Sequence, residues 1–175
     1  ITCDGTATIS DPASLLKTMV RKIKNMIIVI TKNYNRELIG RYEDEIDRSK
    51  MLIDKSVIGS LMFERTTKLK NIELYYISLI SKDLERMVDH LILIDIKNKK
   101  FLDEMAKPIE MLQCILQDTS KLDQKQAIEF AKSVLAMKMA DAKNIKNYEV
   151  ERIRQNLTTI SEVIMDWMVT MKIEN

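Results

Sequence analysis

Apolar residues in this chain return at intervals of three and four. From Leu15 and Leu16 through Met19, Ile23, Met26 and Ile27 to Ile30 they trace one face of a helix. Similar spacing fills most of the 175 residues, and little interrupts it. Three Gly and two Pro, with Leu, Ile, Met, Lys and Glu abundant, favour long helices over a sheet. "SDP" at 10–12 is a start signal, with Asp11 as the cap and Pro12 at the first helical position. Residues 1–10, "ITCDGTATIS", carry no helical period and read as a linker or the end of a preceding segment.

The period predicts five more helices. The second spans about 35–63, with Leu38, Tyr42, Ile46, Ile53, Val57 and Leu61 inward. The third spans about 68–97, on Leu69, Ile72, Tyr76, Ile80, Leu84, Val88 and Leu91. The fourth covers about 101–117, the fifth about 123–143 and the sixth about 145–172. The sixth should turn Val150, Ile153, Leu157, Ile160, Ile164 and Trp167 inward. Short polar loops between them make neighbours antiparallel in a bundle. "LERMVD" at 84–89 and "VERIRQ" at 150–155 suggest three helices repeated once, dividing the chain into 11–98 and 99–175. The expected architecture is therefore all-α, two antiparallel three-helix bundles side by side.

Net charge is +2, which makes no electrostatic case for nucleic acid or a membrane surface as partner of this segment. No run approaches the ~18–20 apolar residues of a spanning helix. "MIIVI" at 26–30 is flanked by Lys24 and Lys32. The polar N-terminus carries no secretory signal, and Cys3 and Cys114 make neither a disulfide framework nor a metal motif. Two reduced thiols in a cytoplasmic protein are expected, and the start at Ile1 reads as part of something longer.

Two segments share Glu-x-x-x-Asp: "EDEID" at 43–47 and "ERMVD" at 85–89. Four residues of helix return to within about 40°, so each pair occupies one face, beside the apolar stripe. Antiparallel packing of the second and third helices would gather Glu43, Asp47, Glu85 and Asp89, and like charges so placed repel. A hard cation would neutralise them, and so would Arg48, Lys82 or Arg86 in ordinary salt bridges. Ile92 and Ile96 continue the face of Glu85 and Asp89, which is therefore not plainly a solvent face. The single His, His90, lies about 140° around its helix from Glu85, outside that group, and takes a structural role. There is no nucleophile–base set and no Gly-rich phosphate loop, so catalytic residues are none and the chain is not expected to be an enzyme. The twelve Met suit core positions or an adaptable partner surface.

"KDLERMVDHLILI" at 82–94 resembles the helix signature of the phosphate-uptake regulator (PhoU) family, a Leu-Glu-Arg-Ile-x-Asp-His segment. "YEDEIDRSKMLI" at 42–53 is similar to that family's acidic helix, and "VERIRQNLTTISEVIMD" at 150–166 to the last helix of its archaeal members. The resemblance covers nearly the whole chain from Asp11. It implies a regulator of phosphate uptake or phosphate signalling that acts through protein contacts with a transporter or sensor kinase, as a homodimer. It also implies metal held by Glu43, Asp47, Glu85 and Asp89, with iron, zinc, magnesium or manganese as the candidates. In the second repeat the corresponding positions read as Met137, Asp141, Glu151 and Gln155, which leaves two charges and a weak or lost site. Some archaeal relatives join such a region to an AbrB-like DNA-binding domain. The alternative is therefore the sensory or dimerisation part of a transcription regulator whose DNA-binding domain lies upstream of residue 1.

Overall fold

The structure, a computed structural model, describes residues 11–62, 67–94, 98–119, 122–137 and 148–174. Within them lie six helices and no strand: α1 (Pro12–Lys32), α2 (Arg36–Met62), α3 (Asn71–Leu91), α4 (Lys99–Ile115), α5 (Gln124–Leu135) and α6 (Tyr148–Glu174). The chain is all-α, and none of these helices is long and apolar enough to cross a membrane.

Helix starts follow local chemistry. The Asp11 carboxylate accepts the Ser14 backbone N–H at 2.9 Å, with Pro12 in the first turn. Asn35 accepts from Leu38 N–H at 3.0 Å, and Asp123 from Gln126 N–H at 3.2 Å. Glu73 reaches back to the Lys70 N–H at 2.7 Å. The first three bonds satisfy first-turn donors that have no partner inside the helix, and the fourth satisfies the N–H of the residue that precedes α3. Two helices are shorter than their apolar period suggests. α3 occupies Asn71–Leu91 rather than 68–97, and α5 stops at Leu135. There the Ala136 and Met137 N–H groups bond back to Lys132 and Val134 carbonyls. Residues 1–10, Ile96 and Asp141 lie outside the described residues.

α2 packs on α1 and α3, and α5 on α4 and α6; α1 lies against α4, and α3 against α6. α3 and α6 run antiparallel. Tyr76 stacks on Trp167 with ring centroids 5.7 Å apart, and its hydroxyl lies 2.7 Å from the Thr170 hydroxyl. Toward the other end His90 Nδ1 meets Glu149 at 2.6 Å. One buried cluster takes side chains from all six helices, so residues 11–98 and 99–175 share a core. Each large apolar side chain fully buried there contributes about 1.5–3 kcal/mol.

The expected inner stripe of α6 is buried throughout, from Val150 to Trp167. α2 differs. Leu38 and Leu61 are exposed, and the inner face is Ile39, Ile46, Ser49, Ile53, Ser56, Val57 and Ser60. Serine suits this face because it is small, and Ser49 returns its hydroxyl to the backbone, Oγ donating to Glu45 O at 2.7 Å. Lys22 of α1 lies over the same turn, 3.3 Å from both Ser49 Oγ and the Glu45 carbonyl.

The two halves repeat each other in burial. Ser81–His90 and Ser161–Thr170 show the same order of buried, half-buried and exposed residues, position for position. Pro12, Leu16, Met19, Ile23 and Met26 of α1 match Phe101, Met105, Pro108, Leu112 and Ile115 of α4. The buried positions Ile46, Ser49, Ile53 and Ser56 of α2 match Ala127, Phe130, Val134 and Met137 along α5 and just past its end. This register corrects the one drawn from "LERMVD" and "VERIRQ". Glu85 lies in the C-terminal part of α3, whereas Glu151 lies in the first turn of α6. By burial, Glu85 and Asp89 correspond to Met165 and Val169; the register of the buried α2 and α5 residues sets Glu43 and Asp47 against Gln124 and Ile128.

Candidate functional site

The four carboxylates singled out by spacing do face one another across α2 and α3. Glu43 and Glu85 are half-buried at the seam, and Asp47 and Asp89 lie at its exposed margin. Burial pushes the Glu43 carboxyl above the ordinary glutamate range, and the charges of Asp47, Asp89 and Asp44 push it further. Burial also raises Glu85, with Asp89 and Asp47 adding to it against the opposing pull of Lys50 and Arg86. Asp89 is raised by burial and by Asp47, while His90 opposes. Each helix thus feels the acids of the other, in the order antiparallel packing dictates.

Arg48, Lys82 and Arg86, the cations expected to neutralise them, make no ion pair with them among the described residues, although Arg86 and Lys50 lie near enough to oppose the rise at Glu85. Arg86 turns to Asp83 at 3.9 Å, and Lys50 bonds Asp54 at 2.6 Å. Among the described residues none of Glu43, Asp47, Glu85 and Asp89 makes a hydrogen bond or an ion pair. No three His, Cys, Asp or Glu side chains among the described residues are gathered tightly enough, as they stand, to hold a metal ion. Carboxylates on adjacent helix faces repel one another. As a donor set they fit a hard divalent or trivalent cation, offering anionic oxygens from two adjacent helices.

The second-half residues first matched to this site are elsewhere. Met137 is buried at 3% exposure, Glu151 faces Arg154 at 3.7 Å, and Gln155 accepts from Arg152 at 3.0 Å. The places that do correspond, Gln124, Ile128, Met165 and Val169, carry no charge. Lys172 lies against Gln124 across α5 and α6, as the α2–α3 register requires of that end. His90 stands apart from the acids' seam: its Nδ1 is held by Glu149, and Tyr148 presents its ring edge at a centroid distance of 6.1 Å. Cys114 is an exposed free thiol, and Cys3 lies outside the described residues.

Sequence spacing missed Asp83. It is buried between α3 and its surroundings at 9% exposure, and burial raises its carboxyl against the pull of Arg86 and Lys82. A signal was present, since Asp83 shares the face of Tyr76 and His90, the α3 residues that meet α6. The chain matches no protein-family model, and no curated protein or solved structure was found similar to it.

Proposed function

We propose that the chain is a PhoU-like regulatory module that binds a hard cation on the α2–α3 acidic face and acts through protein contacts, without turnover. The observation that supports the reading is the mutual charge repulsion of Glu43, Asp47, Glu85 and Asp89 across α2 and α3, with no ion pair or hydrogen bond to any of them among the described residues. Glu43 and Glu85 would be the inner ligands and Asp47 and Asp89 the outer ones, with water completing the shell. The cation would cancel the mutual repulsion and fix α2 against α3. The proposed arrangement is two antiparallel three-helix bundles, α1–α3 and α4–α6, supported by the helix pairings and the repeated burial order. The partners proposed are a phosphate transporter or a sensor kinase, the classes implied by the "KDLERMVDHLILI" resemblance.

Metal analysis of the purified protein after incubation with magnesium, manganese, zinc or iron tests the cation. One or more ions per chain are expected, lost in the Glu85→Ala/Asp89→Ala variant. Retention by that variant overturns the assignment. Binding measured against the transporter and kinase encoded by the same genome tests the regulatory half, and failure to bind either one refutes it.

A further inference from the structure

The acid seam ends on a residue of the opposite sign. Glu43, Asp47, Lys50 and Asp54 follow one another along α2 at steps of four, three and four, within about 60° around the helix. Asp89, Glu85 and Lys82 follow on α3 in the reverse direction, at steps of four and three. Antiparallel packing thus sets Lys50 level with Glu85, and each senses the other. Burial, then Asp89 and Asp47, raise the Glu85 carboxyl while Lys50 opposes them. The Asp54 bond raises Lys50 most, and Glu85 adds to it. The Lys50 ammonium nevertheless lies on Asp54, 2.6 Å away and one turn beyond the seam, with the two side chains 30% and 34% exposed. Lysine N-terminal to its acid is the weaker order for such a pair, so the stability of the helix alone does not call for it. The second half supplies a control. The register of the buried α2 and α5 residues sets Lys50 and Asp54 against Ala131 and Leu135, so the pair is present where the four acids are and missing where they are missing.

We propose that Asp54 is a positioning residue, which holds Lys50 off Glu85 and so keeps the seam open to a cation. Without that hold Lys50 swings its ammonium to Glu85 and becomes a tethered competitor for the same carboxylates. The swing needs no movement of the backbone. One turn of helix is about 5.4 Å, and the flexible four-carbon stem of a lysine spans it. The same carboxylates that repel one another attract an ammonium, so the seam favours Lys50 as soon as Asp54 stops competing for it. The competitor role rests on the cation reading given above. The hold of Asp54 on Lys50 does not, and it is tested without metal.

Zero-length carbodiimide coupling of the full chain, read by peptide mass mapping, joins an amine to a carboxylate in contact with it. In the metal-free wild type the expected product is the Lys50–Asp54 amide within α2. In Asp54→Asn the Lys50–Glu85 amide between α2 and α3 should rise about ten-fold over its wild-type yield, the change expected when the competing bond is lost. An equal yield in both proteins, or none in the variant, overturns the hold. Calorimetric titration with manganese then tests the competitor. Asp54→Asn should weaken binding about ten-fold, and adding Lys50→Gln to it should return the affinity to within about two-fold of Lys50→Gln alone. If Asp54→Asn weakens binding equally with and without Lys50→Gln, Asp54 acts through its charge alone and the competitor role is refuted. A wild type that binds no metal sinks the cation reading and the competitor role with it, while the coupling result still decides the hold. Both positions are partly exposed, and unchanged helical circular dichroism shows that the variants remain folded.

Discussion

α3 and α6 bury and expose their side chains in the same order, yet the face that α3 lines with Glu85 and Asp89 carries Met165 and Val169 on α6. The partner helices show the same contrast, Glu43 and Asp47 on α2 against Gln124 and Ile128 on α5. Burial order is fixed by what each helix packs against, so it survives wherever the architecture survives. Charge at the seam is not fixed that way; carboxylates there cost stability through repulsion. The first half bears that cost and the second does not. The predictions below set the halves against each other, beginning where the effect is greatest.

Met87 and Trp167 are counterparts, both fully buried. Trp167→Ala should destabilise by about 3–5 kcal/mol and Met87→Ala by about 2–5 kcal/mol, through lost transfer energy and the cavities left behind. Because all six helices share one cluster, either variant should unfold in a single transition when denaturant titration is followed by circular dichroism. Two transitions, with only the mutated half shifted, would show that the halves are separate folding units.

How far the sequence discloses this depended on what kind of signal each residue carried. α1 and α6 were legible because their inner faces are aliphatic with one Trp, and a 3.6-residue apolar period is visible in a row of letters. α2 was legible as a helix but not as a face, since Ser49, Ser56 and Ser60 do the inward packing while Leu38 and Leu61 look outward. Polar letters at inner positions hide the stripe. The spacing of the four acids did indicate their shared seam, because helix geometry alone sets it. The repeat register was misread for a physical reason. Identity at "LER" and "VER" is chance-level information, whereas the repeated quantity is burial, which needs the fold to be seen.

The second contrast concerns the cation. At a free concentration one hundred times its dissociation constant, a bound cation should stabilise the wild-type protein by about 2.7 kcal/mol. Glu85→Ala/Asp89→Ala should lose that increment while leaving the metal-free stability equal or higher. The sharper experiment transplants the acids. Gln124→Glu, Ile128→Asp, Met165→Glu and Val169→Asp together should give the second half a seam like the first and raise the bound metal per chain. If metal content stays unchanged and the quadruple variant remains folded, the burial register drawn between the halves is wrong.

Caps should not distinguish the halves at all. Asp11 begins α1 and Asp123 begins α5 with the same bond, carboxylate to the N–H three residues on. Asp11→Ala and Asp123→Ala should each cost about 1 kcal/mol, measured by urea midpoint at constant m-value. A cost several times larger for one would reveal tertiary work at that aspartate, for which Asp11 has two added contacts, hydrogen bonds from the Ser14 hydroxyl at 3.0 Å and from the Thr67 hydroxyl at 3.4 Å.

The smallest effect is the repulsion itself, a few tenths of a kcal/mol for each like-charged pair one turn apart. Its sign is that of the raised carboxyls of Glu43, Glu85 and Asp89, which burial lifts most and their neighbouring acids lift further. A group whose folded value lies above its unfolded value binds more protons folded than unfolded, so stability must fall as pH rises through the interval between them. Below the ordinary carboxylate range, about pH 4, the groups are neutral in both states and the penalty is absent. It builds as pH passes from there through the raised folded values and is complete above them. Metal-free wild-type protein should therefore lose stability across that window relative to Glu43→Gln/Glu85→Gln/Asp89→Asn. Asp83 is raised by burial rather than by the seam, so it should contribute the same slope to both proteins and cancel in the difference. Glu110 is held below its ordinary value by Lys24 and works in the opposite sense, again equally in both. Saturating cation should reverse the difference, because the ion favours the ionised carboxylates that the metal-free fold disfavours. Identical pH profiles for the two metal-free proteins would mean that the acids are neither desolvated nor coupled, and the seam would then be four separate solvated side chains.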